Sequence, residues 1–105
     1  MNLEHDTQIN MNVVKICIDK FGVIHVSSSI NFTVIRFQRF LPVRRGYNSL
    51  IDLCDIEVSY SSITDLYDMA IYNEEGQMIF KAADKQVIDM IGLIWDLAYN
   101  YKHFV

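Results

Sequence analysis

The sequence is poor in the residues that build long loops. Its 105 residues include four glycines and one proline, so little of the chain suits long flexible connections. A length near 100 residues is typical of one domain, and two domains of half that length would each bury too little surface to form a core. We therefore expect a polar lead-in over residues 1–10 and one α+β domain over residues 11–105.

Long apolar runs and cysteines are also scarce. No stretch approaches the ~20 apolar residues needed to cross a bilayer, and Met1–Asp6 is acidic where a signal peptide would be basic. Cys17 and Cys54 each lie in an apolar run, which favours buried reduced thiols, although one disulfide between neighbouring strands stays open. These features predict a cytoplasmic chain that does not span a membrane.

Recognisable motifs for catalysis, cofactor binding and metal binding are missing. The histidines are His5, His25 and His103, and none stands at a chelating spacing with another histidine or a cysteine. There is no phosphate loop, dinucleotide fingerprint or GxSxG pattern. A pairing of His25 with Cys17 across a first hairpin is conceivable, but packing explains both side chains better. We therefore predict no enzymatic activity, no cofactor and no metal.

Alternating apolar and polar residues predict strands along most of the chain. The predicted strands are 12–19, 23–26, 30–40, the second half of 49–60 after a break at 41–47, 66–72 and 77–81. Over 48–54, a short helix is the alternative to a strand. In the third strand, Ile35 and Phe37 face one way, and Arg36 and Gln38 face the other. Turns ending in glycine are predicted at 19–22 and 73–76.

The last segment changes to a period of ~3.6 residues, with Asp84 as the expected N-cap and Lys102 and His103 at its end. Its apolar positions are Val87, Ile88, Ile91, Ile94, Trp95, Ala98 and Tyr99. The pattern predicts an amphipathic helix of about five turns. The predicted fold is thus α+β: a bent antiparallel sheet of five to six strands packed by one long C-terminal amphipathic helix.

This order of elements resembles the bacterial pleckstrin-homology-like superfold. The similarity covers Ile51–Tyr101, where Cys54–Val58 precedes the hairpin of Met69–Phe80 and Trp95 lies on the packing side of the helix. The resemblance implies a bent antiparallel sheet closed at one end by the helix. Lipid-binding members carry basic residues in the first hairpin, where this chain has only Lys20, so phosphoinositide binding is not implied. Fold similarity alone assigns no function.

The net charge of −4 is unevenly distributed along the chain. All four arginines fall within ten residues: Arg36, Arg39, Arg44 and Arg45. Guanidinium groups bind phosphate and carboxylate, and the aromatic rings between them can stack on bases. This segment is a candidate anion-binding site for nucleic acid, a lipid headgroup or an acidic protein. Pairing of these arginines with the domain's own carboxylates explains the pattern equally well.

The segment 46–80 contains no lysine or arginine and is rich in carboxylates. Its candidate partner-binding residues are Asp55, Glu57, Asp65, Tyr67 and Asp68. Tyrosine is enriched at protein interfaces, so this set would suit a basic partner, with a plain solvated face as the alternative.

We therefore predict a small non-enzymatic protein-binding domain that acts through a charged surface, as an inhibitor, immunity-type protein or adaptor. The alternative is a binder of a phosphorylated ligand through Arg36–Arg45. Surplus aromatic residues and an exposed edge strand also leave a homodimer open.

Overall fold

The computed structural model describes residues 8–101, apart from the side chain of Arg45. The elements in chain order are α1 (Met11–Phe21), β1 (His25–Ser28), β2 (Phe32–Arg45), β3 (Asn48–Ser61), β4 (Leu66–Tyr72), β5 (Met78–Lys85) and α2 (Val87–Tyr99). The five strands form one antiparallel sheet in which each strand lies beside the next in the chain. This is the α+β class predicted from the sequence. The sheet is open, and one helix precedes the five strands while the other follows them. Neither helix is long and apolar enough to cross a membrane.

The first element is a helix, so the strand predicted over 12–19 is wrong. Val13 and Cys17 lie one turn apart and are both fully buried. The Asn10 side chain caps the helix by accepting a hydrogen bond of 2.8 Å from the Asn12 backbone N–H. Apolar residues at almost every position fit a period of 2 as well as 3.6, and β-branched side chains favoured the wrong choice.

Gly22 takes φ 79° and its N–H donates to Ile18 O, which ends α1. Gly22 thus ends a helix with the positive φ that favours glycine, and the hairpin turn predicted at 19–22 is wrong. Because the first hairpin does not exist, Cys17 does not face His25. The sheet neighbour of His25 is Arg36.

Side chains alternate between two faces of the sheet. One face packs against both helices, and we call it the covered face; the other is the open face. Ile35 and Phe37 lie buried on the covered face, whereas Arg36 and Gln38 are exposed on the open face, which confirms the predicted alternation. The core between the covered face and the helices contains Val13, Cys17, Ile35, Phe37, Leu41, Val43, Cys54, Ile56, Val58, Tyr60, Tyr67, Met69, Ile71, Met90, Ile94 and Leu97.

The strand break predicted over 41–47 is wrong. β2 and β3 pair without interruption from Phe32↔Ser61 to Arg45↔Asn48, and a two-residue turn joins them. Pro42 fits within β2 because β1 no longer covers the outer side of β2 at that position. The strand predicted in the second half of 49–60 is confirmed and begins earlier, at Asn48, so the alternative helix over 48–54 is not formed.

The β4–β5 hairpin lies where the sequence predicted it. Asn73 Oδ1 accepts hydrogen bonds from the backbone N–H groups of Glu75 and Gln77, at 3.0 and 2.9 Å. Gly76 takes φ 81°, a conformation that favours glycine. An asparagine that bonds the backbone two residues on is a standard way to fix such a turn.

The C-terminal helix is confirmed but is shorter than predicted. It spans 13 residues and is preceded by Gln86, so Asp84 is not its N-cap. Asp84 lies in β5 with φ 57°, and its N–H donates to Asp68 Oδ1 at 3.0 Å. Trp95, expected on the packing side, is 45% exposed and stacks on Tyr99 with Lys20 above it. Lys102, His103 and residues 1–7 of the lead-in lie outside the described residues.

Candidate protein-binding surface

β2 and β3 extend beyond their neighbouring strands. β1 pairs with β2 only as far as Arg36, and β4 pairs with β3 only as far as Asp55. The intervening residues 37–54 form a two-stranded ribbon, which we call the arm, closed by Gly46 with φ 62° and by Tyr47. At ~3.4 Å per residue, the part of β2 within the arm is ~30 Å long.

One side of the arm is an exposed apolar surface. Phe40 is 66% exposed and Ile51 is 64% exposed. The strand register places Phe40 opposite Leu53 and Pro42 opposite Ile51. These four residues lie side by side on the open face, and we call them the arm patch. Tyr47 is fully exposed at the turn. Single exposed apolar residues are ordinary on a protein surface, whereas a contiguous group indicates an interaction site.

The other side of the arm is held against the domain. Leu41 and Val43 are buried. At the base of the arm, Leu53 N–H donates to Glu74 Oε1 at 2.8 Å, and the Glu74 N–H donates to Asp52 Oδ2 at 3.4 Å. The β4–β5 turn therefore fixes the base of the arm, so the arm patch lies on a supported ribbon.

Arg39 points to the covered face and has a structural role. Its Nη2 donates to the carbonyl of Ala98 near the end of α2 at 3.0 Å, and its guanidinium lies 5.3 Å from the centre of the Phe21 ring. A cation at the last carbonyls of a helix also interacts favourably with the helix dipole. Arg39 thus joins both helices to β2.

The other three arginines do not gather at one point either. Arg36 lies on the open face, where its Nε is 2.9 Å from Glu57 Oε2. Arg44 is exposed eight residues further along the same face, at the far end of the arm, and Arg45 is the last residue of β2. Eight residues of extended strand span ~27 Å. The predicted anion-binding set is therefore divided between two faces and the two ends of the arm.

Three of the predicted partner-binding carboxylates lie on the open face. Asp55 Oδ1 accepts from Gln38 Nε2 at 2.9 Å, Glu57 pairs with Arg36, and Asp68 accepts from the Asp84 backbone N–H. Each carboxylate already has a partner within the domain, and the charge of Glu57 is paired with that of Arg36.

The other two members of that set lie elsewhere. Asp65 occupies the β3–β4 turn with φ 57° and accepts a hydrogen bond of 2.7 Å from the Tyr60 hydroxyl. Tyr67 is 1% exposed, and its hydroxyl accepts from the Asn10 N–H at 2.9 Å. Burial raises the pKa of the Tyr67 hydroxyl. Tyr67 therefore stabilises the core and the start of α1, and lies away from the open face.

A groove of about 870 Å³ is lined by residues between the start of β1 and the β4–β5 turn, from both faces of the sheet. Its polar lining includes His25, Tyr72, the Arg36–Glu57 pair and the Gln38–Asp55 pair. These pairs satisfy one another, so a charged ligand would have to compete with them for its contacts.

The thiols are poorly suited to nucleophilic chemistry. Cys17 and Cys54 are free and buried, as predicted. Burial raises the pKa of the Cys17 thiol to about 12. The pKa of Cys54 is raised by burial first and then by the nearby carboxylate of Asp52. A protonated thiol is a weak nucleophile and a poor metal ligand. Within residues 8–101, no group of three His, Cys, Asp or Glu side chains could hold a metal ion.

The chain matches no protein family, no curated protein and no solved structure. The sequence does not predict the arm, because Pro42 and Gly46 together indicate a break in the strand. The signal that could have revealed it is the pair Gly46–Tyr47 between two long runs of strand-forming residues.

Proposed function

We propose that this chain is a non-enzymatic protein-binding domain and that the arm patch is its binding surface. The observation that carries this proposal is the exposure of Phe40 and Ile51 on the same face of adjoining strands, in a ribbon whose opposite side buries Leu41 and Val43. Covering both side chains would remove roughly 200 Å² of apolar surface from water, which is worth about 5 kcal/mol before the costs of association. A central apolar cluster of this kind is the usual energetic core of a protein interface.

Charge supports a partner whose surface is acidic around an apolar centre. Residues 37–54, which form the arm, contain three arginines and one carboxylate, that of Asp52. The chain has a net charge of −4 and the arm has +2, so the remainder carries −6. The arm is thus a basic extension of an acidic body, and such separation steers association with a partner of opposite charge. Inhibitors, immunity-type proteins and adaptors all act in this way, by covering the surface of another protein.

We further propose that the fold is pleckstrin-homology-like and that the chain works in the cytoplasm. The first proposal is supported by the antiparallel strands in chain order followed by a C-terminal helix packed on one face. The second is supported by two buried thiols in the reduced state, which suit a reducing compartment.

The alternative function, binding of a phosphorylated ligand, is supported by Arg44, which is exposed at the far end of the arm. This mode predicts an affinity that falls steeply as salt is raised, because bound counterions are released from a polyanion. Binding through the arm patch would instead weaken only modestly in high salt.

The experiment replaces Tyr47 at the arm turn by a photo-crosslinking phenylalanine derivative in the full chain, with the same replacement of Ile88 on α2 as the matched control. Both positions are exposed, but only Tyr47 belongs to the arm. After irradiation in an extract of the source organism, we expect a discrete protein adduct from Tyr47 and none from Ile88. The adduct should disappear in a Phe40→Ser background and persist with Lys81→Ser.

The partner is then purified and its affinity for the chain measured directly. A protein that binds wild type at least 30-fold more tightly than Phe40→Ser supports the proposal. Identical adducts from both positions, an adduct insensitive to Phe40→Ser, or an adduct of nucleic acid would contradict it.

A further inference from the structure

We propose that the outer edge of β2, from Phe37 to Arg45, binds an extended acidic segment of the partner protein as an added β-strand. This inference rests on the proposed function and names the element of the partner that the arm receives. Addition of a peptide strand to an open sheet edge is a common mode of peptide recognition, in which backbone hydrogen bonds give affinity and alternate side chains give specificity.

The edge is open because β1 is short. β1 has four residues and ends its pairing with β2 at Arg36. Beyond that position, no described strand lies on the outer side of β2, although β2 continues to Arg45. Unpaired strand edges are templates for pairing with another chain. Nine residues of such an edge could align with a partner segment ~30 Å long.

The register shows which backbone groups face outwards. A two-residue turn makes Arg45↔Asn48 a hydrogen-bonded pair, and hydrogen-bonded and non-hydrogen-bonded pairs then alternate along the arm. Pro42↔Ile51 therefore falls at a non-hydrogen-bonded position, so the Pro42 nitrogen faces outwards, where its missing N–H disturbs no existing bond. The outward N–H groups that remain belong to Gln38, Phe40 and Arg44.

Pro42 makes this edge selective. A proline in the middle of an edge removes one donor and discourages indiscriminate pairing with other strands. A partner strand must bind in a register that leaves no acceptor opposite Pro42. The proline thus permits a specific partner while protecting the chain against aggregation through the same edge.

Charge identifies the partner as an acidic segment and argues against a second copy of this chain. Antiparallel pairing of two identical β2 edges would place no carboxylate of one edge beside Arg44 of the other, because residues 37–45 contain none. An acidic strand would instead place a carboxylate beside the exposed guanidinium of Arg44 and an apolar side chain beside Phe40.

The groove begins beside His25, the first residue of β1, and this supplies an end to the site. Phe21 and Val23 line the groove there, and Phe21 stacks on the buried ring of Phe37. Val23 is 79% exposed, so the groove offers an apolar subsite level with the first residue of the free edge. An added strand running along β2 would direct one end into this subsite.

The test uses a fluorescent peptide of sequence Glu-Glu-Val-Thr-Val-Thr-Val-Glu-Glu, whose near-symmetric charge makes its orientation unimportant. A comparator replaces all its glutamates by lysine. Two further versions carry backbone N-methyl groups, one on the three valines and the other on the two threonines. An added strand uses the N–H groups of alternate residues on one edge only.

We expect saturable binding by fluorescence anisotropy, at least tenfold tighter for the acidic peptide than for the lysine comparator. One N-methylated version should lose at least tenfold in affinity, while the other should bind nearly as the parent does. Arg44→Glu should weaken binding at least tenfold. Lys81→Glu, with the same charge change on the open face of β5, should leave the affinity unchanged.

Absence of binding, equal binding of the lysine comparator, or equal binding of both N-methylated versions would overturn the inference. Sedimentation that shows a stable dimer with no peptide binding would assign the edge to a second copy instead. If the photo-crosslinked partner still requires Phe40 while the peptide fails to bind, the proposed function stands and only strand addition is wrong. Failure of both experiments would remove both proposals.

Discussion

The packing of α2 on the sheet can be tested by one substitution made at two positions of the same helix. Ile94 is fully buried, whereas Ile88 is 73% exposed. Ile94→Ala removes three carbons from the core and leaves a cavity, and such changes cost about 2 to 5 kcal/mol. A domain of this length is stable by roughly 5 to 15 kcal/mol. We expect Ile94→Ala to lower the unfolding free energy by about 3 kcal/mol.

Ile88→Ala should change the unfolding free energy by less than about 0.5 kcal/mol, because an exposed side chain loses few contacts and alanine is the better helix former. Urea titrations followed by Trp95 fluorescence and by circular dichroism would measure both values. The slope of the free energy with urea should be equal in the two variants, since the surface exposed on unfolding is nearly the same. Equal destabilisation by both substitutions would refute the placement of the α2 face.

Two further predictions concern buried polar groups. Because burial raises the pKa of Cys17 from 9.0 to about 12, the folded state keeps a proton that the unfolded chain loses above pH 9. The contribution of this thiol to the unfolding free energy is therefore fully present below pH 9 and falls as the pH rises towards 12, by up to about 1.4 kcal/mol per pH unit. Urea titrations between pH 8 and 10.5 should show a shallower decline of stability in Cys17→Ala than in wild type. A decline of equal slope in both proteins would contradict this assignment. Tyr60→Phe, which removes the hydrogen bond to Asp65, should lower stability by about 1 to 2 kcal/mol. Tyr72→Phe is its control, and an equal loss in the two variants would show that the bond contributes nothing.

Hydrophobic periodicity predicted an element correctly where only one period fitted the segment. Over 66–72, Tyr67, Met69 and Ile71 alternate with Asp68 and Ala70, which predicts a strand, and β4 forms there. Over 12–19, apolar residues at consecutive positions admitted both a strand and a helix, and the cap at Asn10 together with the buried pair Val13 and Cys17 shows which was formed. The N-cap could have been recognised in the sequence, because asparagine directly before a helical run is a favoured capping residue.

The candidate site was harder to predict than the fold. The sequence drew attention to charged residues, yet Arg36 and Glu57 neutralise each other across β2 and β3, and Tyr67 is buried. Exposure of Phe40 depends on how far β1 and β4 extend beside the longer strands, and strand ends are not encoded by local alternation. The apolar character of a residue does not by itself predict whether its side chain is buried in the folded protein.

The sequence by itself determined the class of fold, the order of the later elements and the faces of the strands, because hydrophobic periodicity acts on neighbouring residues and requires no knowledge of the rest of the chain. It also favoured buried thiols through their apolar surroundings, and the structure shows that both are free. Only the tertiary structure decided that α1 is a helix packed on the sheet, that β2 and β3 continue as an arm, and that Arg39 joins the two helices. Those features depend on contacts between residues far apart in the chain, such as Arg39 with Ala98. Local sequence patterns carry no information about the free energy of such contacts.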